Sequence, residues 1–189
     1  MTAPSQRLGT LSPSPMAERL APLFSESDIQ SKVQELASQI RADYGESQIL
    51  LLGVLKGSLH FLSDLSRLLA DITTIDFVQV SSYGSEKSSS GVVQIRKDLD
   101  TNIEGRDVLI VEDIVDTGTT LTHLRELLGT RRPKSLKVVA LLSKPEARKH
   151  KTQVEYVGFE IPNEFVVGYG LDYGERFRNL PYIAILHED

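Results

Sequence analysis

The stretch Asp107-Val-Leu-Ile-Val-Glu-Asp-Ile-Val-Asp-Thr-Gly-Thr-Thr120 decides the fold, because an apolar run empties into three carboxylates and a hydroxyl-rich turn. Val108 to Val111 are β-branched or aliphatic with no helical period, which predicts a strand covered on both faces, as in a parallel sheet. Glu112 and Asp113 follow at the carboxyl end of that strand, where open α/β sheets bind ligands. Asp116-Thr-Gly-Thr-Thr120 then offers backbone amides and hydroxyls ahead of a helix led by Leu121, Leu124, Leu127 and Leu128. A loop of that kind suits a phosphate.

Working outward, apolar runs alternate with helical patterns. Ile49 to Leu55 is a second buried strand, and Lys56-Gly-Ser58 leads from it into a helix with Leu59, Leu62, Leu65, Leu68 and Leu69 expected inward. Upstream, Ser27 or Asp28 is expected to cap a helix running to Tyr44, because Ile29, Val33, Leu36, Ala37 and Ile40 recur at helical spacing. Ile75 to Val80 predicts a strand, a small-residue stretch from Ser81 to Gly91 a connection or a lid, and Val92 to Ile95 a return strand. Leu136 to Leu142 is a further buried strand after the break at Pro133, and Pro181 to Leu186 a last short one. Strand and helix alternation predicts an α/β fold with a parallel sheet and helices on both faces.

Composition narrows the function classes. The 189 residues are 40% hydrophobic, enough for one domain with a sizeable core. A formal charge of −5 argues against a nucleic-acid footprint, and the basic run Arg148-Lys-His-Lys151 is short enough to read as a solvated surface. Cysteine is absent, which excludes disulfides, thiolate zinc sites and a cysteine nucleophile. No apolar run approaches the ~18 residues of a membrane span, and the Pro-containing lead has no signal-peptide core. A soluble, cytoplasmic protein is expected, with residues 1–15 a disordered lead and residues 16–189 a single domain. Its core is expected at about 45–145, and a small hood mainly at 146–189 with part of the N-terminal helix.

Val108-Leu-Ile-Val-Glu-Asp-Ile-Val-Asp-Thr-Gly-Thr-Thr-Leu121 closely resembles the phosphoribosyl-diphosphate (PRPP) binding signature of type I phosphoribosyltransferases. Leu55-Lys-Gly-Ser58, Ser82-Tyr-Gly84, Ser143-Lys-Pro145 and Phe165-Val-Val-Gly-Tyr-Gly-Leu-Asp-Tyr173 are similar to segments of the bacterial hypoxanthine-guanine members. The resemblance runs from about Phe24 to Leu186. It implies magnesium-dependent, reversible transfer of 5-phosphoribosyl from PRPP to a 6-oxopurine in purine salvage, giving IMP or GMP and pyrophosphate, by a homodimer or homotetramer that binds neither nucleic acid nor membrane.

Roles come over residue by residue. The resemblance makes Glu112 and Asp113 contacts to the ribose hydroxyls and to magnesium, and Asp172 a ligand of a second magnesium, since Mg²⁺ takes hard oxygen donors. It places Ile114 and Val115 in the same PRPP-binding segment and gives the 5′-phosphate to Thr117, Gly118, Thr119 and Thr120. Asp116 is the catalytic residue, as a general base at purine N7 or as the group that orients the purine. Lys56 and Gly57 form the pyrophosphate loop, where the preceding peptide bond is often cis, and Arg178 is the second pyrophosphate contact. Lys144 donates to the 6-oxo group, Phe165 stacks on the base and the Val166 carbonyl accepts from it, which together disfavour adenine. Ser82 and Tyr83 belong to the lid. A Walker phosphate loop is excluded because no lysine follows Gly118, and a dinucleotide fold because Gly-x-Gly-x-x-Gly is missing from this strand. A regulator that uses the same fold to sense PRPP would call for a basic face or an added nucleic-acid module, and the sequence offers neither.

Overall fold

The computed structural model describes residues 19–82 and 93–187. The expected lead and most of the expected lid, Tyr83 included, lie outside the described residues. Six strands build the main sheet: β2 (Ile49–Leu55), β3 (Thr73–Ser82), β4 (Val93–Lys97), β5 (Asp107–Val115), β6 (Ser135–Ser143) and β7 (Tyr156–Glu160). Their order is β4-β3-β2-β5-β6-β7, with all neighbours parallel except the β3–β4 edge pair. β2 and β5 lie side by side at the centre. From β2 the chain turns outward to β3 and β4, and from β5 it turns the other way to β6 and β7. The loops after β2 and β5 therefore diverge, and the crevice between them is the switch point at which open α/β sheets bind ligands.

Residue alternation sorts the core onto two faces. Ile49, Leu51, Leu109, Val111, Val139 and Leu141 face α1 (Glu26–Tyr44) and α2 (Leu59–Leu68). Leu50, Leu52, Val108, Ile110, Val138 and Ala140 face α3 (Thr119–Gly129), which returns Leu121, Leu124 and Leu128. Helices cover both faces, as the apolar runs require. In α2 the expected inward set is too wide: Leu62 and Leu65 are buried, with Leu69 just past the helix end, whereas Leu59 and Leu68 are 47% and 44% exposed. Five leucines over eleven residues exceed the arc that one sheet face covers.

Ser25 caps α1, two to three residues before the expected position. Its hydroxyl accepts from the Asp28 amide at 3.2 Å while Asp28 accepts from the Ser25 amide at 2.9 Å, a reciprocal capping box. Asp28 thus serves as the third residue of the first turn.

A second sheet joins β1 (Leu20–Phe24), β9 (Ile183–Leu186) and β8 (Val166–Val167), with β9 in the middle and both pairs antiparallel. The structure differs here from two sequence expectations. Leu20–Phe24 is a strand, and the N-terminal part of this layer comes from it, while α1 packs on α2 and β7. The main sheet also continues past residue 145, because β7 pairs with β6 from Val139↔Tyr156 to Ser143↔Glu160. The layers are tied by the stacked rings of Phe24 and Phe159, 4.0 Å between centroids, and by the Tyr169 hydroxyl donating to Asp64 of α2 at 2.6 Å. No described helix is long and apolar enough to cross a membrane.

Candidate active site

The loop after β5 closes into α3 through Gly118, whose φ of 82° is a left-handed conformation that a side chain resists. α3 has no side-chain N-cap bond from Gly118 and no acid in its first turn; its first amide, Thr119, reaches only the Thr117 hydroxyl at a long 3.4 Å, so the positive end of its dipole is left for an anion. Thr117 and Thr119 hydroxyls sit 3.1 Å apart at that end. A recess of about 100 Å³ is lined by Glu112, Ile114, Val115, Asp116, Thr117, Gly118, Thr120 and Leu121. The Lys149 and His150 amides both donate to the Thr117 carbonyl, at 3.0 and 3.2 Å. The basic run whose side chains read as solvated surface thus braces the loop after β5 through its backbone, a role that side-chain chemistry cannot reveal.

Next to this recess lies the loop after β2. The Leu55–Lys56 peptide is cis. A Cβ on Gly57 would overlap the Asp113 carboxylate, so only glycine lets the two loops touch. On its other side the Gly57 carbonyl is met by Gly170, whose φ is 107° and where a Cβ would overlap that oxygen. Gly57 is therefore clasped between the acidic end of β5 and the segment after β8.

Glu112 is buried, and burial together with the Asp113 charge raises its pKa well above the ordinary carboxylate range. Burial also pushes Asp113 up to about 6; Asp172 adds to the rise and Arg178 opposes it. Two adjacent acids held at such cost are a marker of a functional site. All the donors are carboxylate oxygens, the chemistry Mg²⁺ prefers. Among the described residues no three acids or histidines converge on one point, but Mg²⁺ held by one or two carboxylates and by phosphate oxygens needs no such cage. The residues present fit the ion.

Asp172 is fully engaged. Its Oδ1 accepts from Arg178 Nη2 at 2.7 Å and its Oδ2 from the Glu175 amide at 2.8 Å, while Arg178 Nη1 donates to the Gly170 carbonyl at 2.7 Å. Lys56 Nζ, the other cation of this end, donates to Glu175 at 3.0 Å. Sequence reasoning missed Glu175 and Gly170. The signal for Gly170 was its place two residues before Asp172, and for Glu175 its place between Asp172 and Arg178.

At the opposite end, β6 delivers Lys144, which is 7% exposed and whose amide donates to the Val115 carbonyl at 3.0 Å. Its ammonium lies 3.8 Å from Asp116, close enough for charge attraction and beyond hydrogen-bond reach. Asp116 itself is half-exposed at the mouth of the recess. Phe165 leaves 45% of its surface open and meets Tyr173 edge-on at 5.9 Å, while Val166 next to it is buried in β8. Ser82 ends β3. The structure so gathers Lys56, Gly57, Asp113, Asp172 and Arg178 at one end and Asp116 with Lys144 at the other, with Thr117 to Thr120 beside them.

Known proteins resemble this chain over most of its length. A family model described as "Phosphoribosyl transferase domain" matches residues 24–174. A hypoxanthine-guanine phosphoribosyltransferase of Bacillus subtilis is 53% identical over 164 residues, covering 87% of this chain and 91% of its own. The solved hypoxanthine phosphoribosyltransferase of Staphylococcus aureus superposes with a TM-score of 0.87 at 50% identity, over 92% of this chain and 95% of that one. A hypoxanthine-guanine phosphoribosyltransferase of Bacillus anthracis gives a TM-score of 0.85 at 48% identity, over 88% and 98%.

Proposed function

The chain belongs to the phosphoribosyltransferase family, and from that membership we propose that it transfers 5-phosphoribosyl from PRPP, reversibly, to N9 of hypoxanthine or guanine. The products are IMP or GMP and pyrophosphate, the chemistry of purine salvage. The observation that carries the choice of base is the buried Lys144 ammonium 3.8 Å from Asp116, with donors left over for a ligand. An ammonium has only donors to offer, so it accommodates a 6-oxo oxygen and leaves the 6-amino group of adenine unpaired.

Breaking the bond between the anomeric carbon and pyrophosphate builds positive charge on the ribose and negative charge on the leaving group. Glu112 and Asp113 receive the ribose hydroxyls and face the cationic ring, a complementarity that strengthens as the charge develops. The open amides and hydroxyls of residues 117–120 hold the 5′-phosphate and so fix the ribose against the base. Lys56, the Gly57 backbone and Arg178 take the pyrophosphate. Glu112, Asp113 and Asp172 would hold magnesium, which when bound supplies Lewis-acid neutralisation of the phosphates. Asp116 accepts the N7 proton of the purine and orients it, with the charge of Lys144 holding the carboxylate in place. Phe165 offers a face to the base, the Val166 carbonyl an acceptor, and Ser82 with Tyr83 a cover against water. The enzyme is proposed to act in the cytoplasm as a homodimer or homotetramer.

The deciding experiment offers PRPP and magnesium with hypoxanthine, guanine, xanthine and adenine in separate assays. Nucleotide should form from hypoxanthine and guanine; adenine as the best substrate, or no nucleotide from any base, removes the reading.

A further inference from the structure

The tip after β8 carries an acid that the reaction does not use. Tyr173 and Arg176 exchange two backbone hydrogen bonds at 3.1 Å, closing a tight hairpin that holds Glu175 at its turn. Glu175 takes a φ of 66°, a left-handed conformation uncommon for a residue with a side chain, and the Asp172 carboxylate fixes its amide at 2.8 Å. This geometry directs the side chain between two cations from distant parts of the chain: Lys56 Nζ at 3.0 Å and Arg178 Nη2 at 3.4 Å. Those contacts also hold the Glu175 carboxyl below its ordinary range.

Lys56 and Arg178 are the two cations assigned above to pyrophosphate. A carboxylate is an oxyanion like a phosphate, though with one negative charge and two oxygens. We propose that Glu175 is a built-in competitor for the pyrophosphate site, bridging Lys56 and Arg178 until PRPP or pyrophosphate takes them from it. The proposal rests on the assignment of those two residues to pyrophosphate. Exchange is easy at the Lys56 end, where side-chain exposures are 54% for Lys56 and 64% for Glu175, while Arg178, 25% exposed, is also held by Asp172 at 2.7 Å and gives Glu175 the looser contact. Exposed ion pairs of this kind are individually weak, so the competition lowers affinity for pyrophosphate a few-fold without blocking it. The acid also has somewhere to act in both directions. It must be displaced when PRPP enters, and it recaptures the cations as pyrophosphate leaves, which limits product inhibition.

The test titrates pyrophosphate calorimetrically, with magnesium chloride present, into the parent protein and into Glu175→Gln. The amide keeps the size of the side chain and discards its charge. Pyrophosphate should bind the variant about fivefold more tightly, in line with the loss of one exposed and one half-exposed charge pair. The KM for PRPP should fall in step without a rise in kcat. A role confined to shaping the hairpin would move affinity the other way. Glu175→Gly, which suits the left-handed backbone, should reproduce the tightening and serves if the glutamine variant does not fold. Unchanged or weaker pyrophosphate binding in a folded variant overturns the proposal alone; no pyrophosphate binding by the parent protein overturns the assignment of Lys56 and Arg178, and the proposal with it.

Discussion

Lys144 and Asp107 show how differently two buried charges can be employed. Lys144 meets its carboxylate at 3.8 Å, beyond hydrogen-bond reach, and in the proposed reaction gives its donors to the purine. Lys144→Ala should raise KM for hypoxanthine and guanine more than tenfold, as the loss of a hydrogen bond from a charged donor of about 1.5–3 kcal/mol implies. Unchanged KM in steady-state assays would contradict its place at the 6-oxo group. Asp107, at the start of β5, is buried and fully paired: Lys134 donates at 2.7 Å and Ser135 at 2.6 Å. Burial alone would raise its pKa, but these partners outweigh burial and hold it below the ordinary value. A carboxyl lowered in the folded state stabilises the protein above its unfolded pKa near 4, and that contribution disappears as pH falls through the folded value. Asp107→Asn should therefore cost about 2 kcal/mol at pH 7, with the gap to the parent closing below pH ~4 in denaturant titrations. Equal gaps at pH 7 and pH 3 would refute the linkage. Of these two residues only Lys144 was readable as functional beforehand, through its resemblance to a family segment. A strand-leading Asp107 looks like any solvated acid until Lys134 and, at the start of β6, Ser135 arrive 27 and 28 positions later.

At the scale of elements, the centre of β5, Val108 to Val111, was legible because a strand stretch buried on both faces must be apolar, whereas the strand runs on through Glu112 and Asp113 to Val115. β1 was not. Leu20-Ala-Pro-Leu-Phe24 is short and holds a proline, so nothing local specifies a strand; it becomes one by pairing with β9 at the far end of the chain, with an irregularity in register between Pro22 and Phe24. The clasp of Gly57 by Gly170 was equally hidden, since it joins two loops 113 residues apart. It joins the segment after β8 to the loop proposed to hold pyrophosphate. Gly170→Ala would set a methyl against the Gly57 carbonyl in a backbone region that alanine disfavours, a cost of about 1–3 kcal/mol. It should lower the melting temperature and raise KM for PRPP, leaving KM for the purine less affected. An increase confined to the purine would show that the two loops are not coupled.

The molecule as a whole is two sheets of unequal size, and the candidate site draws residues from the ends of both. Its main sheet follows from alternating apolar runs, visible for every strand but β7; the smaller sheet follows from pairings between the first and last described strands, which no local pattern announces. Phe24 on Phe159 and Tyr169 on Asp64 then fix its position over α2 and β7. Deleting the chain up to residue 18 leaves every described pairing in place and should keep the melting temperature within a few degrees. Deleting through Phe24 removes one neighbour of β9 and the ring stacked on Phe159, and should lower the melting temperature by more than ten degrees and raise KM for the purine. Equal melting temperatures for the two truncations would show that β1 contributes nothing to the fold.

The Arg19 carbonyl accepts from the His187 amide at 3.1 Å, and from there the first and last strands run antiparallel, Leu20 beside Leu186. Handles attached to the two ends of the chain and pulled apart would load these strands like a zipper, parting their hydrogen bonds one after another. The small sheet would yield first and at low force, with the six-stranded sheet still intact, and the pocket for the purine would be lost before the cradle for the sugar phosphate.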